Sequence, residues 1–404
     1  MEILVITQYF WPENFRINDL VLGLKEKGYN VTILTGKPNY PSGKIFPGYS
    51  LLSKLKDNFD GITVYRVPSV PRGNGRNLRL IMNYFSFIVS ACFMAPFLLK
   101  GKYDLIFVYE PSPITVMIPA IFLKKIKNVP IMLWVLDLWP ESISSTGAIK
   151  SVNIIKMVKK LVNYIYHKCD LILVQSQSFI KPIEEYGIKK DKIFYFPNSA
   201  EELFYPATKI NKEIDTMLPN GFRIMFAGNI GAAQDFGTIL SAAEILNEYK
   251  EIQFIILGDG RMFNWTKEEI NKRNLSETVH LLGQYSLELM NDFFACADLM
   301  LVTLKKSYIF SLTVPGKIQS YLACGRPVIA ALDGEGGRII EESGAGISCP
   351  TENAEALAKG ILKLFNMPKM EREELGKNGR KYYEINFDRN MLLNKLDKIV
   401  NTIY

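Results

Sequence analysis

The chain alternates short apolar runs with amphipathic stretches, and the alternation runs through twice along its length. In the first half, apolar and β-branched runs predict strands at 3–7, 31–35, 62–67, 105–109, 131–135 and 171–175. Between the first two, Leu20, Val21 and Leu24 share one face of a helical stretch that Gly28 stops. The rhythm restarts after Pro197, with strands at 222–227, 253–257, 279–282 and 299–303 and helices at 236–247 and 287–295. Pro315 and Gly316 then open a short amphipathic run, 317–323, and Gly325 follows where a helix end needs φ > 0. The apolar run 327–332 predicts a buried strand, and a glycine-rich loop follows it.

Strands alternating with helices predict an α/β protein of two Rossmann-like, doubly wound parallel-sheet domains, at 1–197 and 198–378. After a break placed at Gly379, residues 379–404 carry Leu392, Leu393, Leu396, Ile399, Val400 and Ile403 in a helical stripe. Ligands of open parallel sheets lie beyond the carboxyl ends of the strands. That rule singles out Glu13, Asn14 and Arg16 after the first strand, the 37–43 and 110–113 loops, Asp137 and Glu141 after the fifth, and 176–178. In the second half, the N-terminus at Gly316 leaves backbone N–H groups unpaired beside Lys317, an arrangement suited to a phosphate.

Composition narrows the choice of partner. Residues 1–200 hold 25 Lys and Arg against 14 Asp and Glu, and residues 201–404 hold 23 against 27, so the basic excess sits in the first half. A basic half suits nucleic acid, an anionic membrane or a phosphorylated substrate, and no nucleic-acid-binding pattern is present. The 80–99 stretch has no charge and is flanked by Arg72, Arg76, Arg79, Lys100 and Lys102. Asn83, Ser86, Ser90 and Pro96 make it a poor membrane span, which leaves a helix buried against the sheet or one lying in a membrane interface. The five cysteines are scattered, as expected of reduced thiols in the cytoplasm, and the five-residue apolar run at the start is too short for a signal peptide. No G-x-G-x-x-G, P-loop, Asp-x-Asp pair or metal-ligand cluster occurs, so neither a cofactor nor a bound divalent metal is expected.

GNIGAAQDFGTIL, ILGDG, ADLMLVTL and VPGKIQSYLACGRPVIA, in that order, resemble the second domain of retaining glycosyltransferases of family 4, which have the two-domain GT-B fold. QYFWPENFRINDL, TGKPNYPSGKIFPGY and LDLWPES resemble a bacterial branch that builds surface polysaccharides and includes transferases of the N-acetyl-L-fucosamine type. The resemblance implies a UDP-sugar donor, carrying an N-acetylated amino or deoxyamino sugar, in the second domain. Gly228, Asn229, Ile230 and Gly231 would line its diphosphate with N–H groups ahead of Gln234, and Gly258, Gly260, Arg261 and Tyr285 would border the base. Pro315, Gly316, Lys317 and Ser320 would complete the donor site. It further implies an undecaprenyl-diphosphate-linked acceptor, O-antigen or capsule assembly, a peripheral place on the inner face of the cell membrane, and a last helix that crosses back to the first domain.

The chain departs from the family where two glutamates are usual: Leu312 and Ser320 stand at those positions, and Asp137 lies where a histidine is usual. His167 and His280 fall in helical and strand patterns and read as structural. Transfer would then rest on Lys317 for the leaving diphosphate and on Asp137 or Glu141 for the acceptor hydroxyl, with Glu13, Asn14 and Arg16 as acceptor or phosphate candidates. A nucleotide-sugar epimerase of the same fold and a partner subunit without activity are the alternatives.

Overall fold

A computed structural model of the chain describes residues 1–73, 77–145 and 151–403, so Arg76 lies outside the described residues. The backbone gathers into two compact units, one of Met1–Pro197 with Leu393–Tyr404 and the other of Asn198–Leu392.

The first unit is built on eight strands: β1 (Glu2–Ile6), β2 (Asn30–Thr35), β3 (Lys56–Phe59), β4 (Ile62–Arg66), β5 (Leu105–Glu110), β6 (Ile131–Val135), β7 (Leu171–Val174) and β8 (Ile193–Tyr195). Their order is β3-β4-β2-β1-β5-β6-β7-β8, parallel except for the β3–β4 hairpin. Helix α1 (Arg16–Glu26) buries Ile17, Leu20, Val21 and Leu24. β5 and β6 are buried along their whole length, as continuous apolar runs in a two-sided parallel sheet must be. β3 and β8 escape the pattern reading because β3 is polar and half exposed and β8 has three residues.

Helix α2 (Asn77–Leu98) has two faces. Phe87, Ala91, Ala95 and Leu99 are buried, and Asn83 is fixed to the sheet by accepting from Gln8 Nε2 at 2.7 Å and donating to Val70 O at 2.6 Å. The opposite face leaves Leu78, Ile81, Met82, Phe85, Val89, Phe93 and Phe97 exposed, Phe93 to 73%. A wholly buried helix is therefore ruled out. Helix α3 (Met117–Lys127) packs beside it, and Lys127 donates to Gly101 O at 2.9 Å.

The second unit has six parallel strands: β9 (Phe222–Ala227), β10 (Ile252–Leu257), β11 (Val279–Gly283), β12 (Leu299–Thr303), β13 (Val328–Ala331) and β14 (Gly346–Cys349), ordered β11-β10-β9-β12-β13-β14. Alternate residues feed two cores: Met225, Ile255 and Met300 on one side, Ile224, Phe254 and Leu301 on the other.

Two sequence expectations fail here. The stretch after Leu332 is a helix, Glu335–Ser343, rather than a glycine-rich loop; its glycines admit close packing, since a Cβ on Gly337 would lie 2.7 Å from Leu332 O. No break occurs at Gly379, because the helix Lys369–Asn386 runs through it. Gly379 sits where a Cβ would meet Leu322 at 2.8 Å, so its smallness serves contact rather than a hinge. The last helix, Arg389–Val400, buries Leu392, Leu393, Leu396, Ile399 and Val400, and residues from Leu393 onward join the first unit, where Leu393 meets Gly23 of α1.

Candidate active site

The residues singled out by sequence lie in both units. In the second unit, the loops after β9 and β10 press together: a Cβ on Gly258 would lie 1.9 Å from Gly228 O, and one on Gly260 2.4 Å from Ile230 O. Glycine is required at both, and φ is 135° at Gly258. The pressing together changes the role expected of the loop. Gly228 N donates to Leu257 O at 2.9 Å, Ile230 N to Asp259 O at 2.8 Å and Gly231 N to Gln234 Oε1 at 3.2 Å. These N–H groups hold the two loops in place instead of standing free for a diphosphate, and the Ile230 side chain is buried. Gln234 closes a 3₁₀ turn, and the helix proper begins at Phe236.

A cation reaches into this glycine loop. Pro315, extended at ψ 130°, precedes the helix Gly316–Ala323, whose residues Lys317 and Tyr321, one turn apart, both face β9. The Tyr321 hydroxyl accepts from Ala227 N at 3.1 Å. Lys317 Nζ lies 4.5 Å from the centre of the Phe226 ring, and its Cε is 2.8 Å from where a Gly228 Cβ would stand. Burial pushes its ammonium down to about 8, with no acidic neighbour to restore it. A desolvated cation with no counter-ion among the described residues, beside exposed Gly228 and a helix start without a side-chain cap, suits an anion.

Three further donor-site candidates lie in this unit. Ser320 is buried and bonds back to Gly316 O at 3.4 Å. The Tyr285 ring packs on Phe293, with centroids 4.6 Å apart. Arg261 is exposed. The helix after β13 opens on a carboxylate that sequence reading passed over: Glu335, buried, ion-paired to Arg338 at 2.6 Å.

In the first unit, Asp137 follows β6 among the polar groups of Ser142, Trp139 and Ser112, and burial pushes its carboxyl up to about 6. Glu141 opens the short helix Glu141–Ser145 and raises Asp137 further by its charge. Glu110, the last residue of β5, is fully buried beside them with both carboxylate oxygens lacking a hydrogen-bond partner. Burial and the charge of Asp137 hold Glu110 well above the usual carboxylate range. A carboxylate closing the apolar run LIFVYE was the visible signal for it.

Glu13 is no free acceptor ligand. Its buried carboxylate accepts from the backbone N–H groups of Asn39 and Tyr40, each at 2.7 Å, and of Phe10 at 3.1 Å, so it ties two loops together. Asn14 is exposed and Arg16 starts α1. His167 bonds its own helix at Asn163 O, and His280 bridges to Gln253 Oε1 at 2.6 Å between strands.

Residues 15–201 match the family described as Glycosyltransferase Family 4, and residues 210–382 match Glycosyl transferases group 1. The probable glycosyltransferase WbjE of Pseudomonas aeruginosa is 27% identical over 62% of this chain and 66% of its own length. WcaI of Escherichia coli, named as a colanic acid biosynthesis glycosyl transferase, is 23% identical over 91% of this chain and 93% of its own. Among solved structures, a sucrose-phosphate synthase from Thermosynechococcus elongatus superposes with a TM-score of 0.77 at 17% identity, covering 100% of this chain and 98% of that one. HepE from Anabaena in complex with UDP gives 0.72 at 16% identity, with both chains fully covered. The chain therefore belongs to the glycosyltransferases of the GT-B fold, with a family 4 domain in its N-terminal half and a group 1 domain in its C-terminal half.

Proposed function

We propose that the chain transfers a sugar, with retention and without a metal, from a UDP-sugar to a lipid-linked saccharide in surface-polysaccharide assembly such as O-antigen or capsule. The observation that carries this reading is Lys317: an ammonium with no counter-ion among the described residues, laid across Gly228, in a chain that shares its fold with HepE, solved in complex with UDP. It would neutralise the leaving diphosphate, while Asp137 orients or deprotonates the acceptor hydroxyl. WcaI, by its colanic acid name, supports the polysaccharide context, and the bacterial motifs support an N-acetylated amino or deoxyamino sugar. Purified protein incubated with a panel of UDP-sugars, with and without an undecaprenyl-diphosphate-linked saccharide, tests the reading. Turnover only with the acceptor supports it; conversion of donor alone identifies an epimerase; neither identifies a subunit without activity.

We also infer that α2 rests on an anionic bilayer at the inner face of the cell membrane. Its exposed apolar stripe is long enough to cover a lipid surface, and Lys100, Lys102 and Lys125 stand exposed at one end of it. Two cations expected on that face are engaged elsewhere: Lys124 pairs with Asp170, and Arg72 lies over tyrosine rings. Replacing Phe85, Phe93 and Phe97 together by Glu is expected to abolish sedimentation with phosphatidylglycerol vesicles and leave the melting temperature unchanged, because all three rings already face solvent. Sedimentation of that variant at the wild-type level would remove α2 from the membrane.

A further inference from the structure

Arg72 is a half-buried cation in the first unit with no acidic partner among the described residues. Its guanidinium carbon lies 4.8 Å from the Tyr40 ring centre and 6.0 Å from that of Tyr9. The rings form one platform: Tyr9 stacks on Phe15 at 5.3 Å and 11°, and Tyr40 is 5.2 Å from Phe15. The platform is held from beneath. Glu13 accepts the N–H groups of Asn39 and Tyr40, and Asn39 Oδ1 in turn accepts Arg72 N–H at 3.0 Å. A buried carboxylate thus fixes the loop that fixes the cation, without itself pairing with it.

A guanidinium laid over aromatic faces keeps its N–H edge available, and that edge matches phosphate oxygens as a fork. The segment that carries Arg72 is tied to α2: Asn83 Nδ2 donates to Val70 O at 2.6 Å, and Ser86 Oγ accepts from Val70 N at 2.8 Å. Leu78, Ile81, Met82 and Phe85 are exposed along the first turns of that helix. Cation and apolar stripe thus belong to one stretch of the first unit, as the diphosphate and isoprenoid of a lipid-linked acceptor require.

We propose that Arg72, carried on Tyr40 and Tyr9, binds the diphosphate of an isoprenoid-linked acceptor, whose lipid leaves along the exposed stripe of α2. The proposal rests on the transferase reading for its acceptor, and its test is independent of turnover. Farnesyl diphosphate, farnesol and inorganic pyrophosphate are titrated calorimetrically into the full chain, alongside UDP. Farnesyl diphosphate is expected to bind, and more tightly than either farnesol or pyrophosphate. Arg72→Gln should weaken it by about tenfold to a hundredfold, the range for losing a charge-assisted hydrogen-bonded contact, with UDP affinity unchanged. Should Arg72→Gln fail to fold, Arg72→Lys keeps the charge, loses the fork and is expected to weaken binding severalfold at an unchanged melting temperature. Binding by a folded variant within twofold of wild type would overturn the subsite, as would pyrophosphate binding as tightly as farnesyl diphosphate. If UDP does not bind at all while farnesyl diphosphate binding still depends on Arg72, the transferase reading fails and the subsite stands.

Discussion

Lys317→Ala is expected to lower turnover by about two to three orders of magnitude, the cost of removing one preorganised group that stabilises developing charge. The chain offers little to replace it: the N–H groups of Gly228, Ile230 and Gly231 are already bonded within the two loops. The charge also makes a pH signature. Burial lowers the ammonium from its usual 10.5 to about 8, and a bound diphosphate would return it toward the usual value. UDP affinity should therefore fall as pH rises through about 8, with proton uptake on binding. The sign for stability is opposite: between about 8 and 10.5 the unfolded chain binds more protons than the folded one, so unliganded stability rises with pH there. Lys317→Arg, which stays charged, should remove both trends. A folded Lys317→Ala protein within threefold of wild-type turnover would take the lysine out of the site.

The two-sheet fold was legible because parallel strands buried on both faces are mostly apolar runs, as β5, β6, β9 and β10 are apart from Glu110, Arg223 and Gln253. The same rule hides β3, which is polar on an edge. Glycine misled the reading at Gly334–Gly337 and Gly379, where it marks close helix packing instead of a loop or a break. At the site, Lys317 was legible from its place after Pro315-Gly316, whereas the bonding of the 228–231 N–H groups depends on a second loop, 258–260, that sequence cannot bring within reach. Arg72 was read as one of several flanking cations. Only the contact with Tyr40 and Tyr9, residues far away in sequence, separates it from Arg79, which is exposed and bonds Pro71 O.

Asp137→Asn should cost about two to four orders of magnitude in turnover if the carboxylate takes or orients the acceptor proton, the usual range for a positioned general base. Its surroundings suit that work near neutrality. Burial raises it to about 6, the polar neighbours Ser142, Trp139 and Ser112 limit the rise, and the charge of Glu141 adds to it. Glu110, fully buried, is held well above the usual carboxylate range by the same burial and by the charge of Asp137. Turnover should accordingly climb with pH through about 6 and level off above, and the asparagine variant should lose that limb along with its rate. Stability moves the other way: an unfolded aspartate ionises at its ordinary 3.8, so between 3.8 and about 6 the folded chain holds the extra proton and stability contributed by Asp137 declines as pH rises. The variant should flatten that decline as well. A folded Asp137→Asn protein keeping more than a tenth of wild-type turnover, or keeping the acid limb near 6, would shift the role to Glu141, the other carboxylate on the same loop, for which Glu141→Gln is the corresponding measurement.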